Sequence, residues 1–210
     1  SSSSRVNISD VFAPTGYHSW YGGKSIALSA NGTRVALGGQ TGTGWGSNGF
    51  VRVFEESGGN WSQIGGDINT ESGEHYASFG NALAFSADGT RLVVGAPGVV
   101  DPSGYSYTGG SGAGVGAEPY AVVYQYEAAT DTWGKMGGVL AMGQSPINFG
   151  NGNYYHLFGK DVSISSDGSL IAVGVDNFHP YDGGANGGPG FARLYRWDST
   201  MPSTWVKEED

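Results

Sequence analysis

The chain has 210 residues, a formal net charge of −9 and a hydrophobic share of 38%. This acidic balance argues against nucleic acid and anionic membrane surfaces as partners, because both require patches of Lys and Arg. The chain has no cysteine, which excludes disulfides and thiolate chemistry, and no apolar run of about 18 residues that would predict a membrane span. The length predicts one folded domain or slightly more.

A strand–turn–strand pattern occurs three times along the chain, at residues 22–38, 79–97 and 158–174. The copies align without a gap outward from an Asn-Gly or Asp-Gly pair, which begins at Asn31, Asp88 and Asp167. These pairs favour two-residue turns of type I′, in which both central residues adopt positive φ. The pattern therefore predicts three antiparallel hairpins of one design.

The strands of each hairpin alternate between large and small side chains. In the first copy Ile26 and Leu28 face Val35 and Leu37, and the other two copies repeat this arrangement. The opposite face carries smaller residues, mostly Ala. We expect a sheet with this pattern to be covered on both faces, as stacked blades would be.

A second pair of strands is predicted after each hairpin. Third strands are expected at 50–55, 121–126 and 192–197, each followed by a turn and a fourth strand. A tryptophan begins the fourth strand of every copy, and the three are Trp61, Trp133 and Trp205. Its recurrence at one position indicates packing between adjacent units.

Repeating units of four short strands are typical of a β-propeller. The predicted fold class is all-β, with propeller-type blades in three four-stranded antiparallel repeats plus one N-terminal strand at residues 6–8. Propellers close with about four to eight blades, so we expect the chain to be part of a larger propeller or assembly. The predicted organisation is a strand of a preceding blade with its connector at 1–23, then blades at 24–65, at 66–138 with a long loop at 98–119, and at 139–210.

The second copy carries a Phe-Gly pair at 79–80 and the sequence Val-Gly-Ala-Pro at 94–97. In these features the chain resembles FG-GAP repeats, the blades of integrin-α-like propellers, over nearly its whole length. The first copy departs from this pattern with Gly22 and Gly23, and the third ends in Val175 and Asp176. The Ser-x-Asp-Gly turns are also similar to the hairpins of WD-type blades. The resemblance implies an extracellular or cell-surface location.

Blades of the family that this chain resembles often hold calcium in a loop between their first two strands. Here that loop is reduced to Ser-Ala-Asn-Gly, Ser-Ala-Asp-Gly or Ser-Ser-Asp-Gly. One carboxylate per turn cannot supply the six to eight oxygen ligands that calcium takes. We therefore predict no cofactor and no metal site at these turns, and the acidic segment 67–74 is a weak calcium alternative.

The loops between second and third strands vary most between copies, and loops on a rigid scaffold commonly carry function. Aromatic residues beside Asp and Asn suit sugar faces and hydroxyls, and they suit a protein interface equally well. Ordinary loop packing is the alternative for the same residues. The candidate ligand-binding residues are Trp45, Tyr105, Tyr107, His179 and Tyr181.

Three Asn-x-Ser/Thr triplets, at Asn7, Asn31 and Asn60, are candidate glycosylation sites if the protein is secreted. Asn31 and Asn60 fall at predicted turns, where an attached glycan is accommodated. The tighter turn makes Asn31 the less favourable of these two.

No nucleophile elbow, phosphate-binding loop or paired-His motif occurs in the sequence, and we assign no catalytic residue. The favoured function is a non-enzymatic extracellular β-propeller scaffold, acting in adhesion or structural assembly through its loops and exposed strand edges. A carbohydrate-binding propeller module and a fragment of a propeller enzyme are the alternatives. The expected partners are other copies of the chain or further blades of a longer chain, with a protein or glycan ligand and no nucleic acid.

Overall fold

The structure of the chain is a computed structural model, and it describes residues 20–41, 48–70, 78–98, 119–141, 155–178, 190–200 and 204–208. These residues form fourteen β-strands and no helix. The strands make three antiparallel sheets of four to five strands each, consistent with propeller-type blades. The predicted all-β class of four-stranded repeats is confirmed, and the N-terminal strand predicted at 6–8 lies outside the described residues.

The first four strands of each sheet form a meander in which successive strands pair. Sheet 1 contains β1 (Trp20–Leu28), β2 (Arg34–Thr41), β3 (Asn48–Ser57), β4 (Asn60–Gln63) and β5 (Ile68–Asn69). Sheet 2 contains β6 (Ala82–Phe85), β7 (Arg91–Ala96), β8 (Tyr120–Glu127), β9 (Thr132–Lys135) and β10 (Leu140–Ala141). Sheet 3 contains β11 (Tyr155–Ile164), β12 (Leu170–Phe178), β13 (Phe191–Asp198) and β14 (Thr204–Lys207).

The outer edges of sheets 1 and 2 extend further than the sequence pattern predicts. In sheet 1, β4 ends at Gln63, and β5 resumes pairing with β3 after Gly65 and Gly66. In sheet 2, β10 pairs with β8 in the same way after Gly137 and Gly138. Both short strands lie just beyond the blade boundaries expected after residues 65 and 138. A two-residue strand carries too short a pattern to be recognised in the sequence.

The hairpin registers agree with the predicted alternation, whereas the predicted turn type is wrong. Ile26 pairs with Leu37, Leu28 pairs with Val35, and the second and third hairpins have the same register. Type I′ turns need positive φ at both central residues. A positive φ occurs only at the glycine of each turn, and not at the preceding residue, which is Asn31, Asp88 or Asp167.

Side-chain hydrogen bonds hold each turn together, and they extend beyond its two central residues. In the second hairpin, the Ser86 hydroxyl donates to Asp88 Oδ1 at 2.6 Å and accepts the N–H of Arg91 at 3.0 Å. The N–H and hydroxyl of Thr90 donate to the same Asp88 carboxylate. The first and third turns have equivalent bonds. Because these side chains satisfy the backbone, the central residue needs no positive φ.

Two hydrophobic cores lie between the sheets, and the phenylalanine of a Phe-Gly pair lies in each. Phe79 is buried between sheets 1 and 2, with its ring edge-on to Tyr124 at 6.3 Å. Phe158 is buried between sheets 2 and 3, with its ring edge-on to Tyr195 at 6.3 Å. The Phe-Gly pairs therefore fill the space between neighbouring sheets.

Glycines allow the sheets to approach closely along their first strands, where β1 contacts β6 and β6 contacts β11. A Cβ at Gly38 would lie 2.1 Å from the carbonyl oxygen of Gly80, and a Cβ at Gly95 would lie 2.2 Å from that of Gly159. Gly80 and Gly159 belong to the Phe-Gly pairs and both have positive φ. The sheets therefore converge at the edge formed by their first strands.

Candidate functional site

The five predicted ligand-binding residues lie outside the described part of the chain. They are Trp45, Tyr105, Tyr107, His179 and Tyr181, and the sequon at Asn7 also lies outside it. Their role in binding stays a prediction.

The other two sequons lie in described turns. Asn60 is exposed at the start of β4. The side chain of Asn31 is fixed within its turn, because its Oδ1 accepts the Ser29 hydroxyl at 2.7 Å and the N–H of Thr33 at 3.1 Å. Asn60 is therefore the freer acceptor for a glycan, and glycosylation of either residue stays a prediction.

Asp67, the first residue of the acidic segment considered for calcium, is bound to an arginine. Arg52 makes two bonds of 2.7 Å to its carboxylate, and these hydrogen bonds hold the pKa of Asp67 below its ordinary value. In the described ranges, no group of three or more His, Asp or Glu side chains could hold a metal ion. Asp67 therefore gives the calcium alternative no support.

The three hairpin turns, at residues 29–33, 86–90 and 165–169, form a hydrogen-bonded series that we name the turn row. The N–H of Ala30 donates to the carbonyl oxygen of Ala87 at 3.2 Å. The N–H of Ala87 in turn donates to the carbonyl oxygen of Ser166 at 3.0 Å. One backbone bond of the same polarity therefore joins each turn to the next.

An arginine reinforces both steps of the turn row. The guanidinium of Arg34 donates to the carbonyl oxygen of Gly89 at 3.0 Å, and that of Arg91 donates to the carbonyl oxygen of Gly168 at 3.0 Å. The third hairpin has Leu170 at the corresponding position. Sequence reasoning missed this role, although the Gly-Thr-Arg order after both turns was a visible signal.

Trp133 and Trp205 each join their own sheet to the preceding one. The indole N–H of Trp133 donates to the carbonyl oxygen of Ile64 at 3.2 Å, and that of Trp205 donates to the carbonyl oxygen of Met136 at 2.8 Å. The predicted packing between units is confirmed for these two residues. Trp61, in sheet 1, packs against a buried cluster of Val35, Leu37 and Phe54 in the same sheet.

Asp131 forms a second link between sheets 1 and 2. Its Oδ1 accepts the N–H of Gly65 at 2.6 Å and the hydroxyl of Tyr126 at 2.8 Å. The hydrogen bond from Tyr126, with that from Gly65, holds the pKa of Asp131 below its ordinary value. Asp131 has a φ of 48°, a left-handed conformation that Asp tolerates better than most residues. Nothing in the repeat pattern pointed to it.

The first strand of sheet 1 exposes apolar side chains, whereas Val35, Leu37 and Phe54 on the same face of that sheet are buried. We name the face with the large hairpin residues the front face of a sheet, and the opposite face its back face. The front faces of sheets 2 and 3 pack on the back faces of sheets 1 and 2. On the front face of sheet 1, Ile26 and Leu28 are each 61% exposed, whereas Val162, at the position of Ile26 in sheet 3, is 8% exposed.

The back face of sheet 3 also exposes apolar side chains. Leu194 is 44% exposed, whereas Val53 and Val123, at the same position of sheets 1 and 2, are fully buried. Val206, on the neighbouring strand, is 47% exposed. Within the described residues, Leu194 and Val206 therefore lack the cover of the inner back faces, whereas on the front face of sheet 1 only Ile26 and Leu28 of β1 are exposed.

A groove of about 420 Å³ lies where the end of sheet 1 meets the outer edge of sheet 2. Tyr124 and Trp133 supply aromatic surface, and Asp67, Asn69 and Lys135 supply polar groups. Aromatic surface with a few polar groups is typical of small-molecule sites, and this volume falls within their usual range. The groove was not predicted, because residues far apart in the chain form it.

The described residues include no helix that is long and apolar enough to cross a membrane. No protein-family model matches the chain, and no curated protein matches it.

Several solved structures are similar to this chain at low sequence identity. A hypothetical selenium-binding protein from Sulfolobus tokodaii matches with a TM-score of 0.48 and 11% identity, over 88% of this chain and 39% of that chain. Sqt1 from Chaetomium thermophilum matches with a TM-score of 0.40 and 18% identity, over 87% and 34%. Kuenenia stuttgartiensis hydrazine synthase matches with a TM-score of 0.37 and 11% identity, over 87% and 53%. The chain thus spans roughly a third to a half of each.

Proposed function

We propose that this chain is a non-enzymatic scaffold of propeller-type blades, related to FG-GAP repeats, that acts outside the cell in adhesion or structural assembly. It binds protein partners through its outer sheet faces, with its long loops contributing. The contacts between its own sheets support this proposal, because they show how such a face binds a neighbour. A hydrolytic or lyase activity that stays with the purified chain would contradict it.

The observation that carries the proposal is the exposure of Ile26 and Leu28 at one end of a repeated stacking arrangement. Residues at the corresponding positions of sheets 2 and 3 pack against a neighbouring sheet. Exposed contiguous apolar surface commonly marks an interaction site. The exposed apolar surface of this face is confined to β1, beside the buried cluster of Val35, Leu37 and Phe54.

The proposal is tested by replacing both exposed residues with threonine, which keeps a high preference for strands. We expect the unaltered chain to associate in sedimentation velocity, and the Ile26→Thr/Leu28→Thr variant to retain its circular dichroism and melting behaviour but to lose that association. Val139→Thr is the matched control, since Val139 is 48% exposed between β9 and β10. Equal association of all three proteins would refute a role for the front face.

The extracellular location is tested by expressing the chain through a secretory pathway. We expect a glycan to be attached at Asn60, so that enzymatic deglycosylation lowers the mass of the chain. The Asn60→Gln variant is expected to show no such change in mass. Retention of the unglycosylated chain inside the cell would argue against this location.

Carbohydrate binding is a second candidate, and the groove beside Trp133 favours it. Trp133 also links two sheets, so its substitution would change the stability of the protein as well as carbohydrate binding. Asn69→Ala and Lys135→Ala change groove residues other than Trp133 and are expected to weaken saturable binding to a glycan array. Binding that is unchanged in both variants would exclude the groove as the carbohydrate site.

A further inference from the structure

Sheets 1 and 2 each hold a two-residue strand against the start of their third strand. In sheet 1, β5 pairs Ile68 with Val51, and in sheet 2, β10 pairs Leu140 with Ala121. The corresponding residue of β13 in sheet 3 is Ala192. Among the described residues, Ala192 pairs with β12 on one side and with no strand on the other.

The side chains at this edge of sheet 3 are exposed, unlike those of the two filled edges. Phe191 is 41% exposed, whereas Phe50, at the same position of sheet 1, is 2% exposed. Ala192 is exposed, whereas Val51 and Ala121 are fully buried. The start of β13 therefore has the residues of a filled edge without the burial that a short strand accompanies in the other sheets.

The backbone of β13 presents hydrogen-bonding groups at this edge. The carbonyl oxygen of Leu194 accepts the N–H of Glu208 at 2.9 Å. Backbone groups of residues two positions apart point to the same side of a strand. The N–H and carbonyl oxygen of Ala192 therefore point away from β12, to the side on which Val51 meets β5 in sheet 1. Such main-chain groups provide the affinity when an extended peptide adds to a sheet edge.

The charges beside the edge favour an acidic residue in an added strand. In sheet 1, the side chains of Arg52 and Gln63 both donate to the carboxylate of Asp67, the residue just before β5. Sheet 3 has Arg193 at the position of Arg52 and Lys207 at the position of Gln63. Both positions that bind the carboxylate in sheet 1 are therefore cationic in sheet 3.

Arg193 has the aromatic neighbour of Arg52 but not its acidic partner. The guanidinium carbon of Arg52 lies 5.2 Å from the ring centre of Phe50, and that of Arg193 lies 5.7 Å from the ring centre of Phe191. Arg52 forms an ion pair with Asp67, whereas Arg193 forms none within the described ranges. A carboxylate at this place would give Arg193 a charge-assisted hydrogen bond.

We propose that the edge of β13 at Ala192 binds an extended segment of a partner protein, with Ile or Leu opposite Ala192 and an acidic residue immediately before it. The Ile or Leu lies on the back face of sheet 3, as Ile68 does in sheet 1, and covers part of Leu194. The acidic residue bonds Arg193. This inference rests on the proposed function and deepens it by naming the kind of segment that is bound.

The probe is a synthetic peptide copied from residues 65–70, Gly-Gly-Asp-Ile-Asn-Thr, with both ends blocked. Titrated into the isotope-labelled chain, it is expected to shift the nuclear magnetic resonance signals of the Ala192 and Arg193 amides. The dissociation constant should be in the millimolar range, because the pairing is short. The same peptide methylated at the isoleucine nitrogen is the control for main-chain pairing and should bind at least about tenfold more weakly.

Charge exchange tests the bond to Arg193. We expect Arg193→Glu to weaken binding of the peptide by at least about tenfold, and the same variant to bind a peptide with Lys in place of Asp, since opposite charges then meet again. Arg196→Glu is the matched control, because Arg196 lies on the same strand but on its opposite face. It changes the net charge equally and should weaken binding by less than about threefold.

Hydrogen exchange distinguishes the other occupants of the edge. Protection of the Ala192 amide in the chain alone would show that the edge is already filled, and protection that grows with chain concentration would assign it to a second copy. Binding only to a Glu209→Gln/Asp210→Asn chain would assign Arg193 to acidic residues of its own chain. Each of these results overturns the proposal.

The titration itself can also overturn it. Signals that shift at Val51 instead of Ala192 would show that the peptide displaces β5, and unchanged signals at millimolar peptide would show that the edge binds no such segment. Either result leaves the proposed function standing, because that function is decided separately by the association of Ile26→Thr/Leu28→Thr.

Discussion

At the scale of single residues, the hairpin turns are held by a serine, an acidic or amide residue and a hydroxyl residue in fixed order. Ser86 is fully buried and links the Asp88 carboxylate to the N–H of Arg91. Leaving such groups unpaired costs about 1–3 kcal/mol each. The first turn has Asn31 where the second has Asp88, which shows that the turn needs an oxygen acceptor at this position and not a charge.

Acid stability should depend on Asp167 in the third turn. Hydrogen bonds from Ser165, then from the N–H and hydroxyl of Ser169, lower the pKa of Asp167 to about 2, whereas an unfolded Asp has a pKa of about 3.9. The unfolded chain therefore takes up a proton first, so this contribution is complete above about pH 4 and disappears as the pH falls towards 2.

We expect the melting temperature of the unaltered chain to fall more steeply between about pH 4 and pH 2 than that of Asp167→Asn, because the amide does not take up a proton there. Asp176→Asn, on an exposed part of β12, is the control and should keep the steeper slope. Parallel profiles for all three proteins would show that the turn bonds do not contribute to acid stability.

At the scale of strands and sheets, the sheets are held together by close backbone approach as much as by side chains. Gly95→Ala should separate β7 from β11, because the new Cβ would lie 2.2 Å from the carbonyl oxygen of Gly159. We expect a loss of about 1–3 kcal/mol in the free energy of unfolding, measured by urea titration.

Gly134→Ala is the matched control for this contact, since no atom lies within 4 Å of the Cβ that it would add to β9. Its effect on unfolding should stay within about 0.5 kcal/mol. Equal destabilisation by both variants would mean that loss of glycine itself, and not the contact between β7 and β11, is responsible.

At the scale of the whole molecule, sheet 1 packs on sheet 2 and sheet 2 on sheet 3, so we expect stability to be approximately the sum of the stabilities of the single sheets and of two interfaces. Phe158→Ala should cost about 3–5 kcal/mol and loosen the second interface first. Hydrogen exchange should then rise in β11 and β12 while the strands around Phe79 keep more of their protection.

Phe191→Ala is the control for this experiment, because Phe191 is 41% exposed on sheet 3. Its effect should stay within about 0.5 kcal/mol. A uniform rise of exchange in all three sheets of Phe158→Ala would show that the sheets unfold as one unit.

The fold was more predictable from sequence than the candidate interaction surface. Pairing of Ile26 with Leu37 follows from a two-residue alternation and a nearby turn, which are both local signals. The roles of Arg34 and Asp131 depend on groups in another sheet, and Arg34 donates to a residue 55 positions away. The turn type was mispredicted because the bonds of Ser86 compete with the backbone preference of Asp-Gly.

By itself, the sequence determined the hairpin strands, their register and the repeated placement of large and small residues, because strand periodicity acts over a few neighbouring residues. Only the tertiary structure decided which of those faces are covered. Val53 and Leu194 occupy the same position of the repeat, yet one is fully buried and the other is 44% exposed. Burial depends on whether another sheet lies against the residue, and the local sequence does not specify that neighbouring sheet.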